Sequence, residues 1–230
     1  MSIRSEMEKF PLIAVSKKIK KANSLIPRNT QWALYVVALV ISDAMMTFFA
    51  FWVAYYFRFV AFERFFDQTA TVSFSTYRFL LLSMPFLWLV IYAINGLYAK
   101  DNLLGGTQEY SKVFSSAGEG FLLIVIAGFL GPNLFIARGW VLMTWVFTFS
   151  FAGVARFLLR RLIYSLRRYG FFLTPAVIVG ANQEGRWLAE QLLKWETSGL
   201  HLVGFVDKKT PVTFPLFHDL VSLGTVEQLG

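Results

Sequence analysis

The run Trp32-Ala-Leu-Tyr-Val-Val-Ala-Leu-Val-Ile-Ser-Asp-Ala-Met-Met-Thr-Phe-Phe-Ala-Phe-Trp-Val-Ala-Tyr-Tyr-Phe57 decides the class of this chain. Its only charge is Asp43, and it exceeds the roughly 20 apolar residues that cross a hydrocarbon core. It is too long for a cleaved signal peptide, and it lies behind a basic tail with further spans after it. Phe79 to Tyr98 is a second span, interrupted by Pro85. Ala117 to Ala137 is a third, with Glu119 near one end and Gly131-Pro132-Asn133 set to break the other. Gly139 to Leu159 is a fourth, with Arg156 close to its end. Only Arg138 separates the last two, which read as a helical hairpin.

Composition agrees. Of 230 residues, 56% are hydrophobic and 16% charged, and mean hydropathy is +0.54. A soluble domain carries roughly 45–50% apolar and about 25% charged residues. An aromatic share of 18% is the opposite of a disordered composition. The absence of cysteine excludes a disulfide scaffold, thiol catalysis and cysteine-ligated zinc or iron–sulfur sites. The net charge of +8 is distributed unevenly. Seven Lys and Arg precede Trp32, three lie from Arg58 to Arg78, two from Ala99 to Lys112, and Arg138 alone parts spans three and four. Arg156, Arg160, Arg161, Arg167 and Arg168 follow at the end of the fourth. The positive-inside rule then places both the N- and C-terminal sides in the cytoplasm, as an even number of spans requires. The tail segment Ser16 to Lys21 reads as a juxtamembrane polybasic stretch attracted to anionic lipid. With neither a folded reader nor interleaved aromatics in view, nucleic acid is not expected as a partner.

Several polar residues fall within the spans. Asp43 is expected nearer the cytoplasmic headgroups than mid-bilayer, paired with an Arg or a hydroxyl; the competing reading is a functional intramembrane carboxylate. Glu119 reads as interfacial. Arg156 and Arg160 read as inner-leaflet anchors, with contact to an anionic lipid phosphate as the alternative.

The composition changes at Gly170. Thr174-Pro-Ala-Val-Ile-Val-Gly180 is a buried parallel-strand signal. Gly180-Ala-Asn-Gln-Glu-Gly185 is a turn, and Gly185 to Glu196 has helical periodicity with Leu188, Gln191, Leu192 and Trp195 on one face. His201 to Val206 is a second strand, followed by Asp207. This is a β-α-β unit with a glycine-rich turn of Rossmann-like type. Gly180 and Gly185 occupy the outer positions of a G-x-G-x-x-G pattern, Asn182 the middle one, and Asp207 the place of a ribose-binding acid. Asn tolerates a left-handed backbone, yet its side chain crowds a pyrophosphate. The turn is therefore either a nucleotide site formed by Gly180, Asn182, Gly185 and Asp207, or purely structural. Val221 to Gly230 reads as a strand entering a helix, with the chain ending inside a domain. His201 and His218 lie apart from any nucleophile motif and support neither hydrolysis nor a metal site.

The order of parts resembles the N-terminal region of bacterial polyprenyl glycosylphosphotransferases. The matching residues are Asp43, Tyr55-Tyr56-Phe57-Arg58-Phe59, Asn95-Gly96-Leu97-Tyr98, Glu109, Arg138, Arg156, and Val177 to Asp207. The resemblance implies a basic tail (1–31), a four-helix transmembrane domain (32–168) and a partial Rossmann-like α/β domain (169–230), in the bacterial inner membrane. It implies the transfer of a sugar 1-phosphate from a nucleotide sugar to undecaprenyl phosphate, at the start of exopolysaccharide or capsule synthesis. In that family the chemistry belongs to a separate domain with an Asp-Glu pair and magnesium. No Asp-Glu dipeptide occurs here, so the resemblance assigns this chain no catalytic residue and no metal. The chain would then be an accessory half, for positioning, oligomerisation or regulation, with the bilayer as partner and a homo-oligomer compatible with it. Membrane nucleotide-sugar epimerase/dehydratases resemble it in the same front end. A non-catalytic scaffold or regulator of polysaccharide assembly is the remaining alternative.

Overall fold

A computed structural model of the chain describes residues 25–62, 74–99, 102–131, 137–195, 198–207, 215–217 and 220–224. The basic tail segment Ser16–Lys21, Pro132-Asn133, His218 and the stretch after Gly224 lie outside them. The described residues are mostly helical. They contain four helices long and apolar enough to cross a membrane, followed by a small sheet. Two compact units result. Leu34–Arg160 holds most of the helical bundle, and the other joins the residues before Leu34 to Arg161–Gly230.

Helix α1 (Arg28–Tyr56) runs into a π-helical turn at Phe57–Ala61. Helix α2 is Phe74–Ile94. It passes through Pro85 unbroken, which corrects the expected interruption; Pro is tolerated in membrane helices, where neighbours satisfy the freed carbonyl. Its apolar window, Tyr77–Ile94, has 18 residues. At about 1.5 Å per residue that is about 27 Å, close to the hydrocarbon thickness. Helix α3 (Thr107–Leu130) begins well before Ala117 and ends at Gly131 rather than Ala137. Its first turns are polar, so a hydropathy reading misses them; they are helical and bury Glu109. Helix α4 is Arg138–Arg167.

The bundle core is aromatic. Phe51 packs edge-on against Trp88 and Trp140, with ring centroids 5.2 and 5.5 Å away, and Tyr77 lies 5.0 Å from Trp140. The Tyr77 hydroxyl accepts the Ala137 N–H at 3.2 Å, capping the start of α4. Gly120 lets α3 approach α2, since a Cβ there would meet the Trp88 ring at 2.4 Å. Phe129, Phe86 and Ile94 stay exposed, which suits a lipid-facing surface.

In the second unit, strand β1 (Thr174–Val179) pairs in parallel with β2 (Leu200–Val206), and β2 pairs in parallel with β4 (Leu220–Ser222). Strand β3 (Pro215–Phe217) pairs antiparallel with β4, giving the order β1-β2-β4-β3. Helix α5 (Gln183–Lys194) connects β1 to β2. It starts before Gly185 because Asn182 caps it, and it buries Gly185 and Ala189 with Leu192 and Leu193 partly covered. The expected face was displaced: Leu188 and Trp195 are exposed, and the sheet residues Ile178, Leu202, Phe205 and Leu220 meet the small residues instead. Small side chains allow the closest helix-on-sheet approach. In the same unit, Gln31 near the start of α1 accepts the Phe172 N–H through Oε1 at 2.8 Å, and Trp32 packs edge-on to the Phe172 ring at 5.4 Å.

Candidate functional site

The helical unit encloses a network of charges. The Arg156 guanidinium, 1% exposed, donates from Nη2 to Asp43 Oδ2 at 2.6 Å and from Nη1 to Glu109 Oε1 at 2.8 Å. Arg160 Nη2 donates to Glu109 Oε2 at 2.6 Å. The Tyr98 hydroxyl donates to Asp43 Oδ2 at 3.0 Å. Two carboxylates and two guanidiniums cancel in formal charge. Asp43 and Glu109 are 1% and 3% exposed, and burying such ions unpaired would cost several kcal/mol each. Arg156 also lies 5.9 Å from the ring centroids of Tyr92 and Tyr98, and Arg160 lies 5.2 Å from that of Tyr110, within cation–π reach. Burial, and then the Asp43 carboxylate, push the Tyr98 phenol above its usual range, so it stays protonated and serves as a donor.

Asp43 was expected to pair with an Arg or a hydroxyl, and it meets both, Arg156 and Tyr98. The anchor reading of Arg156 is corrected, because its side chain is enclosed and bound to two carboxylates, leaving it no access to a lipid phosphate. Arg160 is largely buried as well and is held by Glu109. A sequence signal for this network existed: Asp43 and Arg156 are opposite charges, each alone in an apolar run. Glu109 sits in a polar stretch where a charge does not stand out, and only the resemblance singled it out.

Chemically the network is a clamp. It ties α1, the segment after α2, α3 and α4 together at one level, and each carboxylate is already held by a guanidinium. Among the described residues no group of three or more His, Asp or Glu is placed to hold a metal.

The four residues read as a nucleotide site gather at one end of the sheet. The Gly180 N–H donates to Val206 O at 2.8 Å, and the Asp207 N–H to Gly224 O at 3.0 Å, so the ends of β1, β2 and β4 share an edge. Gly180 has φ +99°, a backbone that favours glycine. Asn182 is extended, at φ −72° and ψ 179°, not left-handed. Its Oδ1 accepts the Gly185 N–H at 2.9 Å and so uses one of the donors a phosphate would take at the helix start. Gly185 abuts the Gly180 carbonyl, where a Cβ would lie 2.2 Å from the oxygen. Both glycines and the Asn thus have structural work at this turn.

No family model and no curated protein matches the sequence.

Proposed function

We propose that this chain is the membrane and Rossmann-like portion of a bacterial polyprenyl glycosylphosphotransferase. In this reading it is the accessory half that positions the machinery moving a sugar 1-phosphate from a nucleotide sugar to undecaprenyl phosphate. One observation carries the proposal. Asp43, Tyr98, Glu109 and Arg156 belong to four short motifs on which the resemblance rests, and they meet in a single network although Asp43 and Arg156 stand 113 positions apart. Buried charges must pair somewhere, and here those that pair are the charges of the motifs. The parallel β1-α5-β2 unit with its Gly180 turn supports the Rossmann-like part of the reading. The charge bias supports an inner-membrane location with both chain ends cytoplasmic.

The test is a chimera in which this chain replaces the corresponding region of a characterised polyprenyl glycosylphosphotransferase. In membranes with labelled nucleotide sugar, undecaprenyl phosphate and magnesium, the chimera is expected to form lipid-linked product, and its Arg156→Leu variant to lose it. The 230 residues alone are expected to form none. A folded but inactive chimera sinks the proposal, and product from the chain alone refutes the accessory role. The coding sequence beyond Gly230 discriminates further: an Asp-Glu pair supports the transferase, a Tyr-x-x-x-Lys pair the epimerase/dehydratase.

A further inference from the structure

Helices α3 and α4 do not close on each other along their whole length. A groove of about 460 Å³ lies between them, lined by Ser115, Gly118, Glu119 and Leu122 from α3 and by Leu142 and Trp145 from α4. Gly118 opens it, since a Cβ there would meet nothing within 4 Å. Glu119 stands exposed at its rim, inside a helix apolar enough to span a bilayer. Its carboxylate accepts one hydrogen bond, from Asn95 Nδ2 to Oε2 at 2.6 Å. Asn95 also donates to Ile91 O at 3.1 Å, which fixes it to the last turn of α2. Glu119 is thus held near the end of the bundle where α2 leaves the apolar layer, within reach of lipid headgroups.

The contrast with the other two carboxylates of the unit is informative. Asp43 and Glu109 each face a guanidinium, whereas among the described residues Glu119 makes no ion pair. A carboxylate at the edge of the apolar layer with no cation of its own leaves a charge for an outside cation to meet. The groove therefore offers an anion at its rim and apolar walls at Leu122, Leu142 and the Trp145 ring.

We propose that this groove binds an aminophospholipid of the bilayer, with Glu119 selecting its ammonium headgroup. The ammonium donates to the free carboxylate oxygen, and an acyl chain lies along Leu122, Leu142 and the Trp145 ring. A trimethylated choline head cannot donate a hydrogen bond to Glu119, and an anionic glycerol head is repelled. Phosphatidylethanolamine should then be preferred to phosphatidylcholine by about tenfold, the ratio that one charge-assisted hydrogen bond gives.

Native mass spectrometry of the full chain, released from bilayers of equal phosphatidylethanolamine, phosphatidylcholine and phosphatidylglycerol, tests this. The wild type is expected to retain phosphatidylethanolamine in preference. Glu119→Gln should bring the ethanolamine-to-choline ratio towards one, and Gly118→Leu, which fills open space, should abolish retention of either. Both variants should melt as the wild type does in phosphatidylcholine alone. If Gly118→Leu does not fold, the ratio in Glu119→Gln decides. Equal retention of the two lipids by the wild type overturns the proposal, as does unchanged retention in folded Gly118→Leu. So does a dimer that Gly118→Leu splits without altering lipid retention, because the groove would then seat a second copy.

Discussion

The two units of this molecule invert each other. In Leu34–Arg160 an ion cluster lies inside while many greasy side chains lie outside: Asp43 and Arg156 are 1% exposed and Phe129 is 89% exposed. In the unit with the sheet, Ile178, Leu202 and Phe205 form an apolar layer under α5, and an ion pair, Lys194 Nζ to Glu190 Oε1 at 2.8 Å, stands on the surface. The difference follows from the surroundings each unit suits. Lipid cannot hydrate a carboxylate, so ions in an apolar bundle must find each other inside it. Water hydrates them, so a surface pair contributes little. Yet the sheet unit also leaves Val177, Val179 and Val203 bare on the face away from α5, and Trp187 and Trp195 bare on α5 itself. A parallel sheet normally has both faces covered.

Substitutions can break or sharpen this contrast. The largest effect is expected for Arg156→Leu, which strands Asp43 and part of the Glu109 charge in the interior. Removing one partner of a buried pair costs about 3–5 kcal/mol, so thermal melting in detergent should show severe loss or no folded protein. A mild effect there would mean the charges are not clamped from within. Next is Gly120→Ala, whose added carbon would press on Trp88 at 2.4 Å. Overpacking of this kind costs about 1–3 kcal/mol, whereas Gly118→Ala on the same helix should be close to neutral. Melting the two side by side separates a packing glycine from an open one.

In the sheet unit, Asn182→Ala removes the cap of α5 and should cost about 1 kcal/mol, read as a lower denaturant midpoint for that unit. The smallest expected effect is a pH dependence. Burial lowers the pKa of His201 below 6.5, favouring its neutral form in the folded state. The unfolded chain then takes up the proton first, so stability present above about pH 6.5 should be lost as pH falls through that value. Comparing unfolding at pH 7.5 and 5.5 in wild type and His201→Gln checks this, and a wild-type difference that persists in the variant would exclude His201 as its source.

Much of the bundle was legible because hydropathy and length are read directly along the chain. Trp32–Phe57 and Gly139–Leu159 fall within α1 with its π turn and within α4. The start of α3 was not legible, because Thr107–Ser116 is polar; in the fold it is helical, and its Glu109 meets Arg156 and Arg160 across the bundle. Strands β1 and β2 could be read from β-branched runs between glycines. The inward face of α5 could not. Periodicity picked out Leu188, Gln191, Leu192 and Trp195, of which Leu192 packs against the sheet, but the sheet buries the smallest residues, Gly185 and Ala189, a choice made by the partner surface. At the turn, the glycine spacing was visible, while the use of Asn182 as a cap depended on an extended backbone that spacing alone does not reveal.

The distance along the chain between Asp43 and Arg156 also bears on how the protein is made. Ribosomes add about 5–20 residues per second, so the 113 positions between acid and base take roughly 6–23 s to emerge. Throughout that interval the first helix sits in the bilayer with its carboxylate lacking a guanidinium, a burden of about 2.5–3.5 kcal/mol if the residue sits near the helix centre, relieved in part only once Tyr98 has emerged. Its apolar neighbours have to outweigh that burden until the last helix arrives. The order of synthesis thus requires Trp32–Phe57 to be greasier than the finished bundle alone would need.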